Sequence, residues 1–241
     1  MTVSPIAPLN RPDLEWLTRP LFGFFMAAIA ISVLFYDPVW FACAAVLVGL
    51  FGAREWHRMV RVPANAQGIH AQAGGGQGAG HGAMHVQTAV SALCLACAVA
   101  LLLDAMPWAA IAVLAAGVVL SFVLAARRAD NPLWHAAGIL YLGLPTLALV
   151  ALRAREPQGL QIVLGLFLIV WATDTGALVF GKLIGGARIA PRLSPGKTWA
   201  GTIGGCVSAA VVYGLYLGVL GFHVLAGMVF ALLFSLVAHS G

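Results

Sequence analysis

Gly159-Leu-Gln-Ile-Val-Leu-Gly-Leu-Phe-Leu-Ile-Val-Trp-Ala-Thr-Asp174-Thr-Gly-Ala-Leu-Val-Phe-Gly181 is the stretch that decides the fold. It holds a single charged side chain, and a helix of about 20 apolar residues suffices to cross the hydrocarbon layer of a bilayer. Similar runs recur on both sides of it, near 20–36, 38–53, 87–104, 106–126, 132–152, 200–220 and 222–239. Asp37-Pro38, Asp104 to Pro107 and Gly221 mark tight turns between consecutive runs, so the implied unit is the helical hairpin. The chain reads as an all-α, polytopic integral membrane protein of about eight transmembrane helices.

Composition agrees with this reading. Of 241 residues, 61% are hydrophobic and 9% charged, against about a quarter charged in an ordinary soluble domain. A secreted disulfide scaffold, a disordered tail and a free soluble enzyme are excluded. The net charge of +5 concerns loops and topology, because nucleic-acid binding needs a basic face that this chain lacks. Cys43, Cys94, Cys97 and Cys206 lie in apolar runs and read as small packing residues.

Orientation follows from the cations in the connections. With the N-terminus in the cytoplasm, Arg11, Arg19, Arg54, Arg58, Arg61, Arg127, Arg128, Lys182, Arg188, Arg192 and Lys197 all fall on that side, and only Arg153 and Arg155 on the other. Both termini are then expected in the cytoplasm. Residues 1–19 carry no cleavable leader pattern and read as an interfacial segment, with Leu14, Trp16 and Leu17 at the headgroup level. Residues 62–86 form the longest polar connection; Gly74 to Gly82 reads as a flexible linker that holds His70, His81 and His85. His81 and His85 have the i,i+4 spacing of a metal pair, but the intervening glycines oppose a helix there. No internal repeat is visible. The expected organisation is 1–86 (interfacial segment, two spans and linker), 87–158 (three spans) and 159–241 (the region that carries chemistry).

Within that last region, Asp174 is an ionisable residue in an apolar run, which marks a functional candidate. Asp174, Ala177 and Gly181 follow at i, i+3 and i+7, so the carboxylate heads a stripe of small residues. The loop 182–199 holds Lys182, Arg188, Arg192 and Lys197 and no acidic residue. Uncompensated positive charge beside a membrane attracts anionic lipid or a phosphorylated substrate, although the topology rule alone also places cations there. Ser194-Pro195-Gly196-Lys197-Thr198 reads as a helix start, with Ser as N-cap and Pro as first helical residue. Such an end, with a Lys and a Thr hydroxyl, suits phosphate oxygens. A nucleoside-triphosphatase P-loop is rejected, because its first Gly would fall at Pro191. Gly201, Gly205 and Ala209, at i, i+4 and i+8, read as a close helix-packing face.

These blocks, Trp171-Ala-Thr-Asp174-Thr-Gly-Ala177, Gly181-Lys182 and Leu193-Ser-Pro-Gly-Lys197-Thr-Trp199-Ala-Gly201-Thr-Ile-Gly-Gly205, resemble the phosphatidate cytidylyltransferases, also called CDP-diacylglycerol synthases. Weaker similarity extends through Gly143-Leu-Pro145 and Arg54-Glu-Trp56. The resemblance implies that CTP and phosphatidate give CDP-diacylglycerol and pyrophosphate with Mg²⁺ as cofactor, at the cytoplasmic face of a bacterial-type inner membrane, and it admits a homodimer. It implies Asp174 as catalytic residue and metal ligand, Lys197 as catalytic residue, and Ser194, Thr198, Lys182 and Arg192 as binders of substrate phosphate. The chain departs from the family pattern at Gly196, where a second Lys is usual, and at Ala200, where a Glu is usual. The family's C-terminal signature, with its aspartates, has no counterpart before His239-Ser240-Gly241. The expectation is therefore little or no activity from this 241-residue chain. A non-catalytic relative that binds anionic lipid or nucleotide, and a small transporter with Asp174 as its coupling site, are the alternatives.

Overall fold

The computed structural model describes residues 12–61, 76–128, 130–190 and 194–240. Among them are eight helices, α1 Pro12–Phe35, α2 Pro38–Val60, α3 Gly76–Leu103, α4 Pro107–Ala126, α5 Pro132–Arg153, α6 Gly159–Leu183, α7 Trp199–Val219 and α8 Val224–Ser240, and one hairpin of β1 Arg188–Ala190 and β2 Ser194–Thr198. Six helical stretches, α2, His85–Leu103 of α3, and α4 to α7, are long and apolar enough to cross a membrane; Phe25–Phe35 and Val224–Ala238 are shorter apolar stretches. The protein is an all-α polytopic membrane protein. Large side chains such as Trp108, Leu133 and Leu215 lie on the outside, which water would oppose and lipid tails match.

Local chemistry sets the helix ends. Pro38, Pro107 and Pro132 open α2, α4 and α5, where the missing N–H costs no hydrogen bond. The Val39 amide donates to the Asp37 carboxylate at 2.8 Å, capping α2. Gly221 turns the chain from α7 to α8 at φ 78°, a left-handed conformation that Gly adopts without a Cβ clash.

The chain divides into two compact units, Met1–Ala154 and Arg155–Gly241. In the first, α2 packs on α3 and α5, and α4 packs on α3 and α5. Its core includes Leu95, Leu114, Ile139 and Val150. Buried Arg153, at the end of α5, donates through Nε to the Leu34 carbonyl at 3.0 Å and through Nη2 to the Tyr36 carbonyl at 3.1 Å. It thus binds carbonyls at the end of α1, where the helix dipole favours a cation. In the second unit α7 lies between α6 and α8, around Ile169, Ala209 and Ala231.

Three expectations change. The glycine-rich stretch from Gly76 is already helical, as the first part of α3. Once the apolar run beyond Val86 has nucleated a helix, each added residue closes another backbone hydrogen bond, and a Gly penalty of about 1 kcal/mol does not stop propagation. His85 is an exposed helical residue; His70 and the side chain of His81 lie outside the described residues. The interfacial segment is, from Pro12 onward, continuous with the first apolar helix as α1; residues 1–11 lie outside the described residues. The third change is at Ser194 and concerns the site itself.

Candidate active site

Ser194 and Pro195 open a strand, not a helix. β2 pairs antiparallel with β1, Arg188 opposite Thr198 and Ala190 opposite Ser194, and Gly185 and Gly186 turn the chain out of α6 at φ 64° and 94°. The helix start moves to Thr198, whose Oγ1 accepts from the Gly201 amide at 3.1 Å. Sequence rules alone do not separate two good caps four residues apart; the partner strand does, by taking the Ser194–Thr198 backbone into a ladder. The Trp199 amide donates to the Ala187 carbonyl at 3.1 Å. Two amides at this helix start are therefore engaged within the protein, and the positive charge of the segment resides on its side-chain cations.

Those cations gather at one end of the α6 and α7 pair. Lys182 is exposed in the last turn of α6, Arg188 is exposed on β1, and Lys197 is half-buried on β2 beside half-buried Thr198. Ser194 is half-buried at the start of β2. Arg192 lies outside the described residues.

Asp174 is not at the helix end. It stands nine residues before Leu183, the last residue of α6, which at 1.5 Å per residue is about 13 Å along the axis. It is exposed and forms no hydrogen bond or ion pair with the described residues. Its neighbour Thr173 is buried and donates through Oγ1 to Ser235 Oγ on α8 at 3.0 Å, and Ser235 Oγ donates to Cys206 Sγ on α7 at 3.4 Å. Asp174 thus sits where the three helices of this unit are tied together by side chains.

The small-residue stripe is occupied by a helix rather than by a ligand. A Cβ on Gly201 would stand 2.9 Å from the Ala177 carbonyl and 3.4 Å from Gly181 Cα, and one on Gly181 would stand 3.3 Å from Thr198 Oγ1. A Cβ on Gly176 would run into Ser208, and one on Gly204 into Phe180. These contacts draw α6 and α7 together from the hairpin inward. The structure therefore joins Lys182, Arg188, Lys197 and Thr198 at one end of the pair, with Asp174 further along the same helix.

Sequence reasoning missed a second polar cluster, in the first unit. His57 Nδ1 on α2 lies 2.8 Å from His135 Nδ1 on α5, His57 Nε2 lies 2.8 Å from Ser91 Oγ on α3, and His135 Nε2 lies 3.0 Å from Asp130 Oδ2. Two histidines inside apolar helices were the available signal, since buried imidazoles require partners.

Fold and charge together define a class, an all-α membrane protein with a cationic hairpin beside a tightly packed helix pair and a carboxylate within one of the helices. The chain belongs to the cytidylyltransferase family, whose model matches residues 17–241. It is similar to the phosphatidate cytidylyltransferase of Brucella suis biovar 1, with 49% identity over 82 residues, 34% of this chain and 30% of the relative. It is also similar to that of Haemophilus influenzae, with 37% identity over 120 residues, 46% of this chain and 40% of the relative. A third relative, of Staphylococcus saprophyticus, is 40% identical over 74 residues, 31% of this chain and 27% of the relative. The matched stretches thus span about a third of the curated relatives' length. No solved structure matches the chain.

Proposed function

We propose that this chain carries the nucleotide-handling part of a phosphatidate cytidylyltransferase, in which CTP and phosphatidate give CDP-diacylglycerol and pyrophosphate. A phosphate oxygen of the lipid attacks the α-phosphorus of CTP. The bond from that phosphorus to the bridging oxygen breaks, and pyrophosphate leaves with the electron pair. Catalysis of such a transfer rests on positioning and on neutralising charge. Lys182, Arg192 and Lys197 supply positive charge to the phosphates, and the Thr198 hydroxyl, its oxygen already accepting from Gly201, still has its proton to donate. Ser194 offers a second hydroxyl on the same strand. The single observation that carries this reading is Asp174, exposed on an apolar helix and without a protein partner among the described residues. A carboxylate in that setting is costly unless a cation or substrate answers it.

Mg²⁺ is usually bound by one or two carboxylates together with substrate phosphates and waters. Asp174 fits that pattern for one ion. No group of three or more His, Cys, Asp or Glu side chains suited to a metal occurs among the described residues, and Asp174 is the one carboxylate between residues 171 and 241. When bound, Mg²⁺ would neutralise charge on the triphosphate; Asp174 would hold it, and the basic hairpin would orient the remaining oxygens.

With Asp174 the only acidic residue from 171 to 241, the chain by itself is expected to turn over slowly or not at all. Incorporation of radiolabelled CTP into phosphatidate by the purified chain with Mg²⁺ tests this, and robust turnover refutes it. The same scarcity favours a second reading, a non-catalytic relative that binds CTP or anionic lipid through residues 182–199. CTP binding without turnover, in a chain that stays inactive when joined to the remainder of an active relative, would select it.

The topology is part of the proposal: eight spans, both termini in the cytoplasm, and the hairpin on the cytoplasmic face of a bacterial-type inner membrane. Arg153 supports it, because a buried cation bound to the carbonyls of Leu34 and Tyr36 is structural and leaves Arg155 as the lone exception to the charge rule.

A further inference from the structure

With Asp130 ionised and both rings neutral, the cluster on α2, α3 and α5 has one consistent proton assignment. An ionised Asp130 can only accept, so His135 Nε2 carries a hydrogen and donates to it. Neutral His135 then accepts at Nδ1, which puts a hydrogen on His57 Nδ1. Neutral His57 in turn accepts at Nε2 from the Ser91 hydroxyl. Every donor in the chain Ser91, His57, His135, Asp130 points toward the carboxylate. His57 and His135 are 1% exposed and Ser91 7%, while the Asp130 side chain is 12% exposed and its Oδ1 accepts from the Asn131 amide at 2.9 Å. Ser91 also borders a small cavity of about 10 Å³, at the lower limit for holding one water.

We propose that Asp130, His135, His57 and Ser91 form a buried site that binds one proton and thereby governs the junction of α2, α3 and α5. The added proton goes to His57 Nε2, which turns Ser91 Oγ into an acceptor and frees its hydroxyl hydrogen for a carbonyl of the preceding turn of α3. The Nδ1 hydrogen between the rings then shifts to His135, placing an imidazolium directly against the Asp130 carboxylate. A second proton has no place, because two Nδ1–H groups would face each other across 2.8 Å and α2 and α5 would have to part.

A zinc ion between the rings is disfavoured. Two ligands of one tetrahedral zinc, each bonded at about 2.0 Å, stand about 3.3 Å apart, wider than the gap observed.

Among the described residues Asp130 is the charged group in contact with the pair, and Asp130 and Arg128 each have further interactions. From α3 the facing group is uncharged Ser91. On α2, Glu55 and Arg58 are exposed and face each other at 3.8 Å, Arg54 is exposed, and Arg61 is half-buried at the helix end. Arg127 and Arg128 are exposed beyond α4, and His85 is exposed on α3.

The test is nitrogen-15 NMR of the full chain, labelled at the histidine imidazoles and held in lipid nanodiscs. One pair of imidazole nitrogens is expected to show a coupling across a hydrogen bond, and that pair is expected to take up one proton between its two rings. In Asp130→Asn the coupled pair is expected to persist with proton affinity reduced about tenfold or more, as befits loss of an opposite charge. Absence of a coupled pair, titration of both its rings to imidazolium with the fold intact, or unchanged affinity in Asp130→Asn would each overturn the proposal.

Discussion

The two units differ in what becomes of the polar and ionisable groups inside their apolar helices. In Met1–Ala154 the buried ionisable side chains and several polar ones are answered by other protein groups, although buried Thr88 Oγ1 on α3 has no hydrogen-bond partner among the described residues. Arg153 meets carbonyls of Leu34 and Tyr36, His57 and His135 meet each other, and Gln87 Nε2 donates to the Ser121 carbonyl while the Ser121 hydroxyl donates to Gln87 Oε1. In Arg155–Gly241 the buried side-chain links join neutral groups such as Thr173, Ser235 and Cys206, while Asp174, Lys182 and Arg188 lie exposed. Groups that satisfy one another hold a fold together; charges held open on an otherwise apolar unit are available to a ligand.

The comparison breaks most readily at Asp174. With residues 155–241 placed in the matching stretch of an active relative, Asp174→Asn is expected to lower Mg²⁺-dependent turnover by about a hundredfold or more, in the range for removing a charge-stabilising group, and to leave thermal stability unchanged. Measuring both on one preparation decides; a loss of stability would make Asp174 structural, like its counterparts in the first unit. Arg153→Met should do the reverse. Losing two hydrogen bonds from a buried cation is expected to cost about 2–3 kcal/mol of stability, read in a detergent unfolding titration, with turnover per folded molecule unaltered.

Smaller effects sharpen the contrast within the second unit. Lys197→Ala is expected to weaken CTP binding about tenfold, equivalent to about 1.4 kcal/mol, measured calorimetrically; equal turnover in this variant and in Asp174→Asn would sink the assignment of separate roles. Ser235→Ala, which opens the link from Thr173 to Cys206, should cost only about 0.6 kcal/mol, the usual worth of a hydrogen bond between helices in lipid.

Much of the fold was legible because its cause is linear in the chain. Apolar runs, proline at helix starts and glycine at turns act through neighbouring residues, and α2, α4, α5 and α6 begin within a residue or two of their expected places. The site was legible in part. Asp174 and Lys197 stand out as charges in an apolar chain, whereas the helix start was misplaced at Ser194 because its competitor, the pairing of Arg188 with Thr198, is a contact between strands. The glycine-rich start of α3 was misread for a related reason: local propensity was weighed without the helix already nucleated beyond it.

The sequence by itself determined that the protein lives in a bilayer, where most of its helices run, and that Asp174 is followed by four cations and no acidic residue up to Lys197, since hydropathy and charge are properties of each residue wherever the chain goes. Only the tertiary structure decided which charges are answered. It placed His57 beside His135, 78 positions away, bound Arg153 to the end of α1, and left Asp174 open while filling the glycine seam beside it. Those outcomes depend on which helices touch and how closely, because a hydrogen bond or a close backbone approach exists only at a distance that packing sets.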